Sequence, residues 1–380
     1  MIETTMLRLG IVCDLVEERW PSMDLVAEML CTQLRRFHVQ AVQAARICPR
    51  LIPRFERLPV LKGRRIAFNA DRLLNRFWDY PRHLRERLSD FDCFHICDHS
   101  YAHLTHELPA KRTGVFCHDL DCFRCLLDPR SEPRPRWFRA MTRRILRGLQ
   151  KASAVFYSTA GMGRRLLQSR LLDPDRLVYA PYGVSPEFHP GPDDLDSLSR
   201  VAIGCHDTPF VLHVGSCIPR KRIDVLLHVF AAVKARFPEL MLVQVGGEWT
   251  AAQREQIEGL GIERAVRQLR GLDRRTLAAL YRRARVVLQP SEAEGFGLPV
   301  LEALACAALV VASDIAVLRE VGGDGAVYCP VADLSCWAET IERLLTHSQE
   351  APDPAQRLAR AQRFSWRQHA HTILQAYAKN

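Results

Sequence analysis

Pro290-Ser-Glu-Ala-Glu294-Gly295-Phe296-Gly297-Leu298-Pro-Val-Leu-Glu302-Ala-Leu-Ala305 is the stretch from which the rest of this chain is read. It follows an apolar run, Val286-Val287-Leu288, and passes into a helix-forming sequence that opens near Leu298. Gly295 and Gly297 allow the backbone to approach a ligand closely. Amides at a helix start lack intrahelical acceptors and sit at the positive end of the helix dipole. Such a place suits phosphate. Glu294 lies on the loop, and Glu302 lies one turn into the helix on the side of Leu298. Both carboxylates can then point into one cleft. Carboxylates accept hydrogen bonds strongly, so the pattern reads as one acid for a sugar and one for a ribose around a diphosphate.

A second segment has the same build. Val214-Gly215-Ser216-Cys217-Ile218-Pro219-Arg220-Lys221-Arg222 follows a strand and opens a helix. Gly215 permits close approach, and Arg220 and Lys221 supply charge that can stabilise a leaving diphosphate.

Outward from these segments, apolar runs alternate with helical stretches, which predicts parallel sheets covered by helices. Strands are expected at Leu7–Cys13, Cys93–Cys97, Gly114–Cys117 and Ala154–Ser158 in the first half. In the second they are expected at Phe210–Val214, Leu240–Val245, Arg285–Gln289 and Leu309–Ala312. Helices are expected at Leu25–Phe37 with Ser22 or Asp24 as cap, at 134–150 and 160–170, and at Ile223–Phe237. Others follow at Arg274–Arg283, Leu298–Ala307, Pro354–Arg363 and Trp366–Lys379. Residues 191–208 are rich in Pro, Gly, Asp and Ser and read as a linker. The expected layout is α/β: residues 1–190 form one Rossmann-like doubly wound domain and residues 209–362 form a second. The natural ligand site is the crevice between them, at the carboxyl ends of the strands.

Composition sets the bounds. The chain has 380 residues, 48% apolar and 25% charged, as in soluble globular proteins. The longest apolar run, Ala303 to Ala312, is too short to span a bilayer. The N-terminus has no signal-peptide pattern, so a cytoplasmic location is expected. Thirteen scattered cysteines read as reduced thiols. The net charge of +10 sits wholly in residues 1–190, which hold 31 Lys and Arg against 21 Asp and Glu. Arg134 to Lys151 is the densest basic stretch. It reads either as a solvated helix face or as a surface for phosphates, nucleic acid or anionic membrane.

These motifs resemble the retaining glycosyltransferases of family 4, which have the two-Rossmann GT-B fold. Glu294-x7-Glu302, inside Glu-Gly-Phe-Gly-Leu-Pro, is similar to the family's Glu-x7-Glu signature, and Pro219-Arg220-Lys221 to its diphosphate segment. Val115-Phe-Cys-His118-Asp119-Leu120, Tyr179-Ala-Pro181-Tyr-Gly183-Val184 and Phe364-Ser-Trp366 resemble three further family segments in order and spacing. The resemblance implies that Glu302 binds ribose hydroxyls and that Glu294 binds those of the donor sugar. The amides of Gly295, Phe296 and Gly297 would hold sugar and phosphate. Lys221 with Arg220 would stabilise the departing diphosphate, and His118 would face the sugar near the reacting carbon. Gly215, Ser216 and Leu298 would complete the donor site, with the base cradled near Gly271-Leu272. Trp20, His99, Tyr101 and Asp119 would lie on the acceptor side. The resemblance also implies that the domain at 1–190 binds the acceptor and that at 209–362 the nucleotide sugar, that no metal or cofactor is needed, and that the helix from 363 to 380 packs back on the first domain. The implied reaction moves a hexose from a nucleotide diphosphate sugar, of GDP-mannose or UDP-glucose type, to a glycan or polyprenyl-diphosphate-linked acceptor. Cell-surface polysaccharide synthesis at the inner face of a membrane, with peripheral attachment there, is the expected setting.

The chain departs from the family in places. No glycine occurs between Gly10 and Gly63, so the loop at 14–24 lacks the family's glycine pair, and Ser216 stands where the family has arginine. These departures motivate a second reading, a non-catalytic nucleotide-sugar or glycan-binding protein. A nucleic-acid binder is disfavoured by the absence of a recognised motif. His99 and His103, four apart, could form a zinc pair on a helix face. Cys122-x-x-Cys125 stands without a second pair.

Overall fold

The computed structural model describes residues 6–18, 20–191 and 208–378. The linker stretch read at 191–208 therefore falls almost entirely outside the described residues. The chain forms two compact units, one built up to Gly183 together with Trp366 onward, the other from Val184 to Ser365.

The first unit is a six-stranded parallel sheet of β1 (Leu7–Val12), β2 (Val42–Ile47), β3 (Cys93–Ile96), β4 (Thr113–Phe116), β5 (Ala154–Tyr157) and β6 (Leu177–Tyr179). Their spatial order is β2-β1-β3-β4-β5-β6. The central strands β3 and β4 are buried along their whole length, as parallel strands covered on both faces must be. The sheet reverses its order between β1 and β3, so ligands are expected outside the carboxyl ends of those two strands. The first helix begins at Pro21, not Leu25, and Trp20 takes the cap position without a side-chain bond. Ser22 and Asp24 thus lie inside the first turn. Proline at the first helical position explains the earlier start, since its missing N–H is no loss there.

The last helix, Trp366–Ala378, closes the first unit. The Tyr377 hydroxyl donates to Phe94 O at 2.9 Å and lies 3.0 Å from His95 Nδ1. Gly114 on β4 makes room for it, because a Cβ there would stand 2.5 Å from the Tyr377 hydroxyl oxygen. His369 Nδ1 lies 3.1 Å from the carbonyls of both Ala180 and Pro181, which fixes its proton on that nitrogen.

The second unit has β7 (Phe210–Gly215), β8 (Met241–Gly246), β9 (Val266–Leu269), β10 (Val286–Gln289), β11 (Val310–Ser313) and β12 (Val327–Cys329). All pair in parallel, in the order β12-β11-β10-β7-β8-β9. The order reverses between β7 and β10. The two loops singled out in the sequence leave those two strands. The helix after β10 spans Leu298–Ala305 and stops two residues short of the expected Ala307, which takes a left-handed conformation with φ of 55°.

Candidate functional site

In the second unit, strand geometry brings the two loops together. The Glu292 N–H donates to Arg220 O at 3.0 Å, joining the loop after β10 to the loop after β7. Gly246, at the end of the neighbouring β8, is needed for the same crowding: a Cβ there would stand 2.4 Å from Gly215 O. Its φ of 129° also favours glycine.

Lys221 is the centre of this site. It closes a short 3-10 turn, Pro219–Lys221, and is buried despite its charge. Its Nζ donates to Glu294 Oε1 at 2.6 Å, with side-chain exposures of 9% and 5% for the pair. Glu294 Oε1 also accepts from Gln289 Nε2 at 2.6 Å and Ser291 Oγ at 2.8 Å. Burial works against the Glu294 charge, but Lys221 and these donors outweigh it and hold the carboxyl below its usual value. An ammonium has three donors. Among the described residues Glu294 is the acceptor found for Lys221, so the other two N–H groups remain available. Arg220 is more exposed; its Nη1 donates to Ala293 O at 3.0 Å and approaches Glu294 Oε2 at 3.4 Å.

Glu302 sits differently. It accepts from the Tyr281 hydroxyl at 3.1 Å. Burial pushes its carboxyl up to about 8, with Tyr281 and Arg274 offsetting part of the effect. At neutral pH it is a neutral acid, able both to donate and to accept. Glu294 and Glu302 are thus held by separate partners and differ in charge. Gly297, with φ of 96°, caps the helix that carries Glu302 in a left-handed conformation. Phe296 is buried edge-on against Phe364. Gly295 and Ser216 are exposed, as is Gly271, which precedes the half-buried Leu272.

Sequence reasoning missed Gln289, Ser291, Tyr281 and His213. The first two alternate on and just after a buried strand, a weak signal for side chains that share a face. His213 is fully buried, and neither ring nitrogen has a partner among the described residues. Burial, with Lys221 nearby, lowers its pKa to about 3. It is a neutral ring beneath Gly215 and Lys221.

In the first unit, polar side chains gather at the carboxyl ends of β1, β3 and β4. His118 has both ring nitrogens engaged: Nε2 lies 2.7 Å from Cys97 O, and Nδ1 lies 2.5 Å from the Tyr182 hydroxyl. A carbonyl can only accept, so Nε2 carries the proton and Tyr182 donates to Nδ1. Burial also lowers its pKa. His118 is therefore a neutral, oriented ring. His99 lies between two carboxylates, 3.2 Å from Asp98 and 3.4 Å from Asp119. Burial opposes its charge, but the thiols of Cys122 and Cys117 together with Asp119 raise its pKa. Asp119 is correspondingly held well below its usual range, burial notwithstanding.

The glycine-free loop is fixed by side chains. Tyr101 is buried, receives the Leu15 N–H at 3.1 Å, and donates to Glu18 at 3.0 Å. The Arg76 guanidinium lies 4.0 Å from the centre of the Tyr101 ring and 3.6 Å from Glu18. Trp20 is 53% exposed. The sequence reading overlooked Asp14, directly after Cys13 at the end of β1. It is 4% exposed, and neither carboxylate oxygen finds a donor among the described residues. Burial and the neighbouring Asp98 raise its pKa, with Arg76 opposing.

The zinc pair considered for His99 and His103 does not form. The segment His99–His106 is a 3-10 helix. At three residues per turn, positions four apart diverge by a third of a turn. His103 Nε2 instead lies 2.7 Å from Arg76 O. Among the described residues no group of three or more metal-ligating side chains is placed to hold a metal. Cys122 and Cys125 are free thiols, and Cys125 donates to Thr142 at 3.7 Å.

Comparison with known proteins follows the same lines. Residues 203–364 match the family described as glycosyl transferases group 1. A D-inositol 3-phosphate glycosyltransferase of Frankia alni is 35% identical over 58% of this chain, but the match covers only 57% of that protein. An O-antigen chain mannosyltransferase B of Escherichia coli is 27% identical over 84% of this chain and 82% of its own length. Among solved structures, sucrose-phosphate synthase from Thermosynechococcus elongatus superposes over 98% of both chains, with TM-score 0.74 and 18% identity. Anabaena HepE, solved with UDP and glucose, covers 99% of this chain and 100% of its own, with TM-score 0.72 and 16% identity. The two-sheet GT-B fold is shared with these structures.

Proposed function

We propose that this chain is a retaining, metal-independent hexosyltransferase of family 4. It would take a hexose from a nucleotide diphosphate sugar to a glycan or lipid-linked acceptor during cell-surface polysaccharide synthesis. The observation that carries the reading is the buried Lys221–Glu294 pair at the switch point of the second unit, with a neutral Glu302 on the adjoining helix. The family matched by residues 203–364 and the glycosyltransferase names of the relatives support it. The Glu294-x7-Glu302 spacing in this chain, which resembles the family's signature, supports the assignment to family 4.

On this reading each group has a distinct task. The spare Lys221 donors meet the developing negative charge on the leaving diphosphate, aided by Arg220 and by amides at the start of Leu298–Ala305. Glu294, ionised and fixed by four donors, accepts hydroxyls of the hexose. Glu302 exchanges hydrogen bonds with the ribose. His118 supplies an oriented neutral ring, and Asp14, Asp98 and His99 form the polar end of the acceptor side. GDP-mannose is the first donor to try, given the mannosyltransferase relative, and UDP-glucose the second. Among the described residues no helix is long and apolar enough to cross a membrane. A cytoplasmic protein working at the inner membrane face fits a lipid-linked acceptor.

The test is direct. Purified protein is incubated with each donor and the released nucleoside diphosphate is measured. Lys221→Ala is expected to bind donor but to lose turnover by about a hundredfold or more. Unchanged turnover would overturn the assignment. Tight donor binding without release across a broad acceptor panel would instead favour the non-catalytic reading.

A further inference from the structure

Between β2 and the helix Arg65–Leu74, the segment 51–64 runs without helix or strand. Irregular segments of this length are commonly loose. This one is pinned. Asp71, fully buried, accepts from the N–H groups of Arg54, Phe55 and Glu56 at 2.8, 2.9 and 3.0 Å. Asn75 accepts from Ile52 N at 2.7 Å and donates to Ile52 O at 3.0 Å. Arg54 forks onto Asp79 at 2.7 and 2.8 Å. Successive turns then carry the backbone onward, with Leu61 N donating to Leu58 O at 2.9 Å and Arg64 N to Leu61 O at 3.0 Å.

The stapled backbone presents apolar side chains to water. Val60 is 76% exposed, Ile66 70% and Leu58 49%. The same stretch, Arg57 to Arg65, holds four cations, Arg57, Lys62, Arg64 and Arg65, and no acid. Among the described residues none of the four forms an ion pair. Scattered exposed hydrophobes need no account. Here a buried carboxylate and a buried amide hold in place a loop whose exposed tips are aliphatic and whose flanks are cationic. Nucleic acid would engage the cations and leave the aliphatic tips in water. A bilayer with anionic headgroups engages both, because the tips enter the acyl boundary while the cations stay among the phosphates.

We propose that the loop Arg57–Ile66 docks the first unit on an anionic lipid bilayer. The inference goes beyond the transfer reaction and does not depend on it. The competing surface is the basic helix Arg136–Lys151, whose Trp137 is 61% exposed. That helix packs on the His99–His106 segment, where Gly148 meets Ala102 O.

Vesicle flotation of the whole protein, without donor or acceptor, tests the proposal. The vesicles are phosphatidylcholine alone or with about a third phosphatidylglycerol, at low salt and at about 1 M salt. The wild type is expected to float with the anionic vesicles only, and less at high salt. Val60→Asp/Ile66→Asp and Arg64→Glu/Arg65→Glu should each lower the bound fraction about tenfold or more. Arg143→Glu/Arg147→Glu should leave most of it. All six positions are exposed, so thermal unfolding should match the wild type. A wild type that stays unbound overturns the proposal. So does wild-type flotation of Val60→Asp/Ile66→Asp, or binding lost only in the Arg143/Arg147 variant. Binding that Val60→Asp/Ile66→Asp retains and duplex DNA competes away would assign the loop to a polyanion, which also overturns it. Because no substrate is present, failure here leaves the transfer reaction untouched, and a silent transfer assay leaves this result standing.

Discussion

Lys221 and Glu294 are each unfavourable in the interior and acceptable only together. Breaking a buried pair strands a charge, at a cost of about 3–5 kcal/mol. Lys221→Met should therefore lower stability in urea by roughly that amount, apart from any loss of turnover. Adding Glu294→Gln removes the stranded charge, so the double variant should recover most of the stability and none of the turnover. A double variant no more stable than Lys221→Met would show that the two side chains are not coupled. Glu302 makes a separate prediction through pH. Its carboxyl titrates near 8 in the folded protein, against about 4.3 in an open chain. Between those values the folded state holds a proton that the unfolded state has lost. Stability contributed by Glu302 is thus greatest below the unfolded value and falls as pH rises through the window. Glu302→Gln abolishes that fall. Its melting temperature, compared with wild type, should rise by a few degrees between about pH 5 and pH 8. Parallel curves across that range would refute the assigned shift.

At the scale of elements, close approach outweighs propensity. Gly148 lies inside the helix Arg136–Lys151, where alanine is favoured by about 1 kcal/mol. A Cβ there would stand 1.9 Å from Ala102 O, on the 3-10 helix His99–His106. Gly148→Ala should therefore destabilise, by about 2 kcal/mol or more, because the two backbones must separate. A neutral or positive shift in chemical denaturation would show that the helix can slide. The elements also explain what the sequence made legible. Eight strands are evident as short apolar runs, and all eight lie inside their sheets. The four that were overlooked, β2, β6, β9 and β12, are the four sheet edges. An edge strand is covered less completely, so its sequence keeps polar residues: β2 reads Val-Gln-Ala-Ala-Arg-Ile and β9 Val-Arg-Gln-Leu. The loops after β7 and β10 were legible because glycines, acids and cations mark them at fixed spacing. Gln289, Tyr281 and His213 were not, because nothing local separates a buried polar residue that serves a site from one that fills a core. Asp14 had one usable signal, a carboxylate ending the first strand beside the sheet reversal.

At the scale of the molecule, the chain's last helix belongs to its first unit. Trp366–Ala378 supplies Trp366, His369, Ala370, Ile373 and Tyr377 to that interior. Tyr377 reaches the carbonyl of Phe94 on a central strand, against a glycine that exists to admit it. The first unit is therefore incomplete without Trp366–Ala378, whereas Val184–Ser365 has its own sheet and core. Two thermal transitions are expected in calorimetry, one for each core. Removing 366–380 should depress or abolish one and leave the other in place. Tyr377→Phe deletes only the hydroxyl and should move the same transition by a smaller step, about 1–3 kcal/mol. A fragment spanning 184–365 would identify the transition that stays. If truncation moved both transitions together, stability would be shared across the whole chain, and the helix could not be assigned to the first core alone.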